Sequence, residues 1–87
     1  MTLHIMKSNQ ATDIEDLRKT WSDQDALVII QNAVLIQDHI KQALPQDANI
    51  RILIQHCESR GISPKFTAID MNELAILSSL HENSITW

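Results

Sequence analysis

The chain has a single cysteine, and the residues around it are of the types that can activate a thiol. Cys57 follows a predicted strand, His56 directly precedes it, and Arg60 lies three residues further on. Cationic neighbours lower the pKa of a thiol and favour the nucleophilic thiolate. One interpretation is therefore a reactive thiol at Cys57. The other, which we favour, is an inert thiol beneath a short helix, because free cysteine is among the most buried residue types.

The histidines do not have the spacing of a metal site. The chain contains four of them, which are His4, His39, His56 and His81. No two are separated by four residues, and His56 with Cys57 offers too few ligands for zinc. We interpret each histidine as a surface or hydrogen-bonded side chain. Gly61 is the only glycine, which argues against a phosphate-binding loop or a dinucleotide-binding turn. We therefore expect no metal, no cofactor and no catalytic group beyond the weak candidate Cys57.

Two pairs of residues have the spacing of a helix-capping box. Thr12 with Glu15, and Asp70 with Glu73, each place a short polar side chain three residues before a glutamate. In this motif the two side chains satisfy each other's backbone N–H groups at the start of a helix. Capping explains the spacing of Asp70 and Glu73 better than a catalytic pair of carboxylates does. Both pairs predict helix starts.

The most informative segment is the apolar run at residues 26–30, which is followed by two side-chain amides. A short run of this kind, rich in β-branched residues, is typical of a strand that is covered on both faces of a parallel sheet. Gln31 and Asn32 would then lie at the carboxyl end of that strand, where open α/β sheets place their functional crevice. Asn32 is also a plausible N-cap for the helix that follows.

Strands and helices alternate along the chain. Strands are predicted at 3–6, 26–30, 50–54 and 66–69, and helices at 12–21, 33–44 and from 70 through Leu80. A helical turn or two is predicted at 55–60, with Gly61 suited to the left-handed position that follows a helix. Residues 81–87 have no clear period. Such alternation predicts an α/β fold, a small parallel sheet of about four strands flanked by helices. The length of 87 residues predicts one domain over 1–87.

Composition limits the partners and the compartment. The formal charge is −4 and there is no basic block, so we expect no direct binding of nucleic acid. No apolar run approaches the ~20 residues that span a bilayer, so we expect no membrane segment. The N-terminus has no signal-peptide pattern and a lone cysteine forms no internal disulfide, which predicts a cytoplasmic protein.

Several features predict association with another chain. The predicted helix at 33–44 is apolar over a wider arc than one buried face requires, so it either packs on its own sheet or is covered by a partner. Trp87 has a large ring that must pack either on its own domain or at an interface. A domain this small also gains stability from oligomerisation, and a homodimer is possible when the chain is alone. The expected partner-interface residues are Gln31, Asn32, Val34, Ile36 and Trp87.

The sequence resembles the DsrH/TusB-like family of sulfur-relay subunits over nearly its whole length. The resemblance depends on five segments in the family order, which are Leu3–His4, Asp25–Val34, Ser59–Ile62, Ala68–Asp70 and Trp87. It implies the DsrE/F/H-like parallel α/β fold. It also implies a noncatalytic TusB-like subunit that assembles with TusC- and TusD-like subunits as a dimer of heterotrimers.

In the family this complex relays persulfide sulfur towards 2-thiolation of the tRNA wobble uridine, and the essential relay cysteine lies on the D-type subunit. Cys57 matches no family cysteine position. The resemblance therefore implies an interaction subunit of the complex and not an enzyme. There are two alternatives: a thiol sulfurtransferase that carries a persulfide on Cys57, and a small homodimeric domain that binds an unknown ligand.

Overall fold

The computed structural model describes residues 1–87 and has the alternating order expected from the sequence. Its strands are β1 (Thr2–Met6), β2 (Ala26–Ile29), β3 (Asn49–Leu53), β4 (Thr67–Ile69) and β5 (Asn83–Thr86). Its α-helices are α1 (Ala11–Thr20), α2 (Gln37–Ala43), α3 (Ile54–Ser59) and α4 (Met71–Leu80), and a 3₁₀ helix at Gln31–Ile36 leads into α2.

All five strands are parallel and lie in the order β4-β3-β2-β1-β5. The first three crossovers step in one direction along the sheet, whereas the last returns from β4 to the far side of β1. Because such crossovers are right-handed, α1, α2 and α3 must lie on one face and α4 on the other. The core agrees with this arrangement, since Ile14, Ile40 and Cys57 share one cluster. The predicted small parallel sheet flanked by helices is confirmed, with a fifth strand added.

The central strand β2 is buried on both faces, as its apolar run predicts. Every residue of Ala26–Ile29 is buried. Leu27 and Ile29 belong to the larger core cluster under α1, α2 and α3. Ala26 and Val28 belong to the smaller cluster under α4. Gln31 therefore follows the middle strand of the sheet at its carboxyl end, where the sequence places it.

The two predicted capping boxes have different outcomes. At α4 the box forms, with the Glu73 N–H donating to Asp70 Oδ1 at 2.8 Å and the Asp70 N–H donating to Glu73 Oε1 at 3.4 Å. At α1 the prediction is wrong, because the helix begins before Thr12 and its N-cap is Gln10, which makes no side-chain cap. Glu15 instead accepts hydrogen bonds from Arg18.

The predicted helix at 33–44 is broken into two parts. A 3₁₀ helix covers its first turns, and α2 begins only at Gln37. Asn32 is not an N-cap, because its side-chain oxygen accepts hydrogen bonds from Arg60. The buried Gln37 side chain holds the junction, since its Nε2 donates to the Ser63 carbonyl and its Oε1 accepts from the Lys65 N–H, both at 2.9 Å.

The strand β5 is the element that sequence periodicity does not predict. All four of its residues are exposed, so it has no apolar alternation. It forms through backbone pairing with β1, which the Trp87 N–H extends by donating to the Ile5 carbonyl at 2.8 Å. Gly61, just after α3, has a φ of +65° and so occupies the left-handed position predicted for it. None of the helices has the length and apolar character needed to cross a bilayer.

Candidate functional site at the carboxyl edge of the sheet

A strained residue marks the carboxyl end of β2. Gln31 has a φ of +51° and is the one non-glycine residue with a positive φ. This left-handed backbone is unfavourable for residues with a Cβ, and such strain clusters at functional sites. A hydrogen bond compensates for it here, because the Gln31 N–H donates to His56 Nδ1 at 2.7 Å. The turn leaves the Gln31 side chain exposed at the edge of the sheet.

The bond from Gln31 also determines the tautomer of His56. Since Nδ1 accepts, the proton of the neutral ring lies on Nε2. Burial lowers the pKa of His56 and the nearby Arg60 charge lowers it further, so the ring is neutral at pH 7. His56 therefore offers an Nε2–H donor at the carboxyl edge.

The Arg60 guanidinium lies across the same edge. Its Nε and Nη2 both donate to Asn32 Oδ1 at 3.3 Å, and its Nη1 donates to Ser59 Oγ at 3.0 Å. The structure thus brings the predicted residues Gln31 and Asn32 together with His56 and Arg60. We call these four residues the carboxyl-edge patch. It presents side-chain amides, one imidazole donor and one cation, a set suited to hydrogen bonds with another protein surface.

Cys57 lies beneath this patch and not on it. The residue is 0% exposed and belongs to the larger core cluster. Burial raises the pKa of its thiol, Glu58 adds to the rise, and Arg60 opposes it only in part. A buried thiol with a raised pKa stays protonated at pH 7 and is a poor nucleophile. The inert interpretation is therefore the one that the geometry favours.

The expected partner-interface residues differ in their exposure. Gln31 and Asn32 are exposed, and Ile36 is half-buried. Val34 does not lie on the surface as predicted, because it is 0% exposed in the chain's own core. The next residue is on the surface instead: Leu35 is 52% exposed, and it lies one 3₁₀ turn after Asn32, on the same side of that helix.

Trp87 packs on its own domain, which is one of the two roles expected for it. Its ring lies against the larger core cluster, and its indole N–H donates to His4 Nδ1 at 3.2 Å. The Trp87 carbonyl accepts from the N–H groups of Lys7 and Ser8 at 3.0 and 3.2 Å. In parallel sheets a ligand crevice usually lies where the strand order reverses, which in this sheet is between β1 and β5. At that place the backbone N–H groups of Lys7 and Ser8 are already hydrogen-bonded to Trp87.

A buried polar cluster on β1 is what sequence reasoning missed. His4 is 0% exposed and its Nε2 lies 2.8 Å from Asp25 Oδ2. Because Nδ1 accepts from the Trp87 indole N–H, it is Nε2 that carries a proton and donates to Asp25. The ring centroid of His4 also lies 5.4 Å from that of Trp21. The sequence signal that could have identified this cluster is His4 itself, a polar residue within the predicted first strand between apolar neighbours.

The structure contains no group of three or more histidine, cysteine, aspartate or glutamate side chains that could hold a metal ion. No protein-family model matches this chain, and no curated protein matches it either.

Proposed function

We propose that this chain is a noncatalytic, TusB-like subunit of a cytoplasmic sulfur-relay complex that supports 2-thiolation of the tRNA wobble uridine. Its partners in this proposal are TusC- and TusD-like subunits in a dimer of heterotrimers. Support comes from the ordered sequence resemblance and from the parallel α/β sheet, which has the architecture that the resemblance implies.

One observation carries the noncatalytic role. The only thiol of the chain is buried and its pKa is raised, whereas hydrogen-bonding side chains are exposed at the carboxyl edge. Such a chain has surface for a partner but no accessible sulfur carrier. In the proposal the relay cysteine is on the D-type subunit, and this chain contributes interface.

The carboxyl-edge patch and Leu35 form the proposed contact with those subunits. Gln31 and Asn32 supply amide groups, and Leu35 supplies exposed apolar area next to them. A partly apolar patch with a polar rim is the usual composition of such an interface. The overall charge of −4 leaves tRNA contact to other components of the complex.

Replacing Cys57 with serine is expected to leave tRNA thiolation intact. The experiment is complementation of a strain that lacks this protein, with 2-thiouridine in tRNA measured by mass spectrometry. The strain should lose 2-thiouridine, and both the natural chain and Cys57→Ser should restore it. Cys57→Ala, which removes the polar hydroxyl from the core, serves as a matched control for a folding defect. If both variants are stable and assemble with the partners but do not restore thiolation, Cys57 is a sulfur carrier and the noncatalytic proposal is wrong.

A further inference from the structure

The second face of the sheet is covered by one helix, because only the last crossover passes over it. That helix, α4, has no fully buried residue. Leu74 and Leu77 pack on the smaller core cluster and are themselves only half-buried. The first face, in contrast, has α1, α2, α3 and the 3₁₀ helix above it.

α4 exposes three large apolar side chains. Met71 is 55% exposed, Ile76 58% and Leu80 69%. These residues make up half of the large apolar side chains that the chain exposes, since that set is Met1, Leu35, Met71, Ile76, Leu80 and Ile85. Ile76 and Leu80 are four residues apart and therefore lie on the same side of α4, and exposed apolar side chains grouped in this way are typical of a protein–protein contact.

A groove beside α4 adds two opposite charges to this apolar surface. It is lined by Arg51, Ile69, Glu73, Ile76 and Leu77. Arg51 donates to Asn49 Oδ1 at 2.6 Å and forms no salt bridge, and Glu73 forms none either. The groove is neutral in sum, although the chain as a whole carries −4. It therefore lacks the net repulsion that the rest of the acidic surface would impose on a second copy.

We propose that a second copy of this chain docks on the α4 surface, defined as Arg51, Glu73, Ile76 and Leu80, about a two-fold axis. A two-fold interface requires a patch that is complementary to itself. This surface meets the requirement, because Arg51 of each copy can face Glu73 of the other while the Ile76 and Leu80 side chains meet between them. The dimer surface lies on the opposite face of the sheet from Leu35, so it is distinct from the proposed contact with the C- and D-type subunits.

The test is the mass of the purified chain alone, measured by sedimentation equilibrium from about 1 μM to about 200 μM. The expected result is a reversible rise from 9.9 kDa to twice that mass. Ile76→Gln should weaken the dimer about tenfold or more, as expected for an apolar residue at an interface centre. Leu35→Gln is the matched control, since Leu35 has similar exposure, and it should change the dimer constant by less than about twofold. Leu80→Gln replaces Ile76→Gln if circular dichroism shows that the latter is unfolded.

Charge reversal identifies the partner as a second copy. Arg51→Glu alone should weaken the dimer, and adding Glu73→Arg should restore it to within about threefold of the natural chain. Because Glu73→Arg also removes the hydrogen bond to the Asp70 N–H at the start of α4, circular dichroism must show that the double variant keeps its helix content. A chain that stays monomeric at the highest concentration would overturn the proposal. So would a dimer that loses affinity in Leu35→Gln but not in the α4 variants, or a double variant that is no better than Arg51→Glu alone. None of these outcomes requires the C- or D-type subunits, so this test is independent of the proposed function.

Discussion

Replacing Asp25 with alanine is expected to lower the free energy of unfolding by about 3–5 kcal/mol, because it leaves buried donors without an acceptor. Asp25 is 5% exposed and accepts three hydrogen bonds within the chain. They come from His4 Nε2 at 2.8 Å, the Thr2 N–H at 3.0 Å and the Ser22 N–H at 3.1 Å. One carboxylate thus joins the start of β1 to the turn before β2.

The effect of Asp25 also depends on pH. Burial alone would raise the pKa of this carboxyl, but the hydrogen bonds from His4, Thr2 and Ser22 outweigh it and the net pKa is lowered. A group whose pKa is lower in the folded state stabilises the fold above its unfolded pKa of about 3.9 and loses this effect as pH falls through the folded pKa. The difference in stability between the natural chain and Asp25→Ala should therefore be full at neutral pH and shrink in acid.

Urea unfolding of both proteins at several pH values measures this difference. Asp23→Ala is the control, because Asp23 lies in the same turn and is exposed. It should change the stability by no more than about 0.5 kcal/mol. If Asp25→Ala is as stable as Asp23→Ala at neutral pH, the buried His4–Asp25 pair does not hold β1 to the turn as the structure indicates.

Replacing Trp87 with alanine is expected to cost about 3 kcal/mol and to release β5 from the sheet. The indole packs against the larger core cluster and donates to His4 Nδ1, while no side chain of β5 itself is buried. The strand therefore depends on Trp87 for its attachment. Amide hydrogen exchange should show loss of protection at residues 83–86, with β2 and β3 still protected.

A more conservative change separates packing from hydrogen bonding at this position. Trp87→Phe keeps an aromatic ring but removes the indole N–H, so we expect a loss of about 1 kcal/mol and a strand β5 that stays attached. Protection at 83–86 that is unchanged in Trp87→Ala would show that β5 is held by its backbone pairing with β1 alone.

Sequence patterns predicted the secondary-structure elements that are determined by residues close together in the chain. The apolar run at 26–30 identified the central strand, the Asp70–Glu73 spacing identified the start of α4, and Gly61 identified the end of α3. Each depends on residues close together in the chain. In each case burial or capping is determined within a few residues.

The features that were missed depend on contacts between distant residues. Trp87 and His4 are 83 positions apart, and the packing of the Trp87 ring on the core beside His4 is what attaches β5. The N–H of the left-handed Gln31 is bonded to His56, 25 positions away, and Val34 is buried by a core cluster built from most elements of the chain. Periodicity along one segment carries no information about such partners. The fold class was therefore predictable from the sequence, whereas the exact surface of the carboxyl-edge patch was not.

The same geometry separates two surfaces on one small domain. The carboxyl-edge patch and Leu35 follow the middle strand on one side, whereas the α4 surface covers the other face of the sheet. Leu35→Gln and Ile76→Gln are therefore a crossed pair of variants. The first should impair the proposed contact with C- and D-type subunits and spare the proposed homodimer, and the second should do the reverse.

The most direct test of the central claim is co-expression of this chain with TusC- and TusD-like subunits from the same genome, followed by measurement of the mass of the purified complex. We expect one complex that contains all three chains, that forms with Cys57→Ser and Ile76→Gln, and that is weakened by Leu35→Gln. A concentration of about 10 μM is well above the dissociation constant of a stable interface. If the chain is folded by circular dichroism and still elutes apart from both partners at that concentration, it is not a subunit of such a complex.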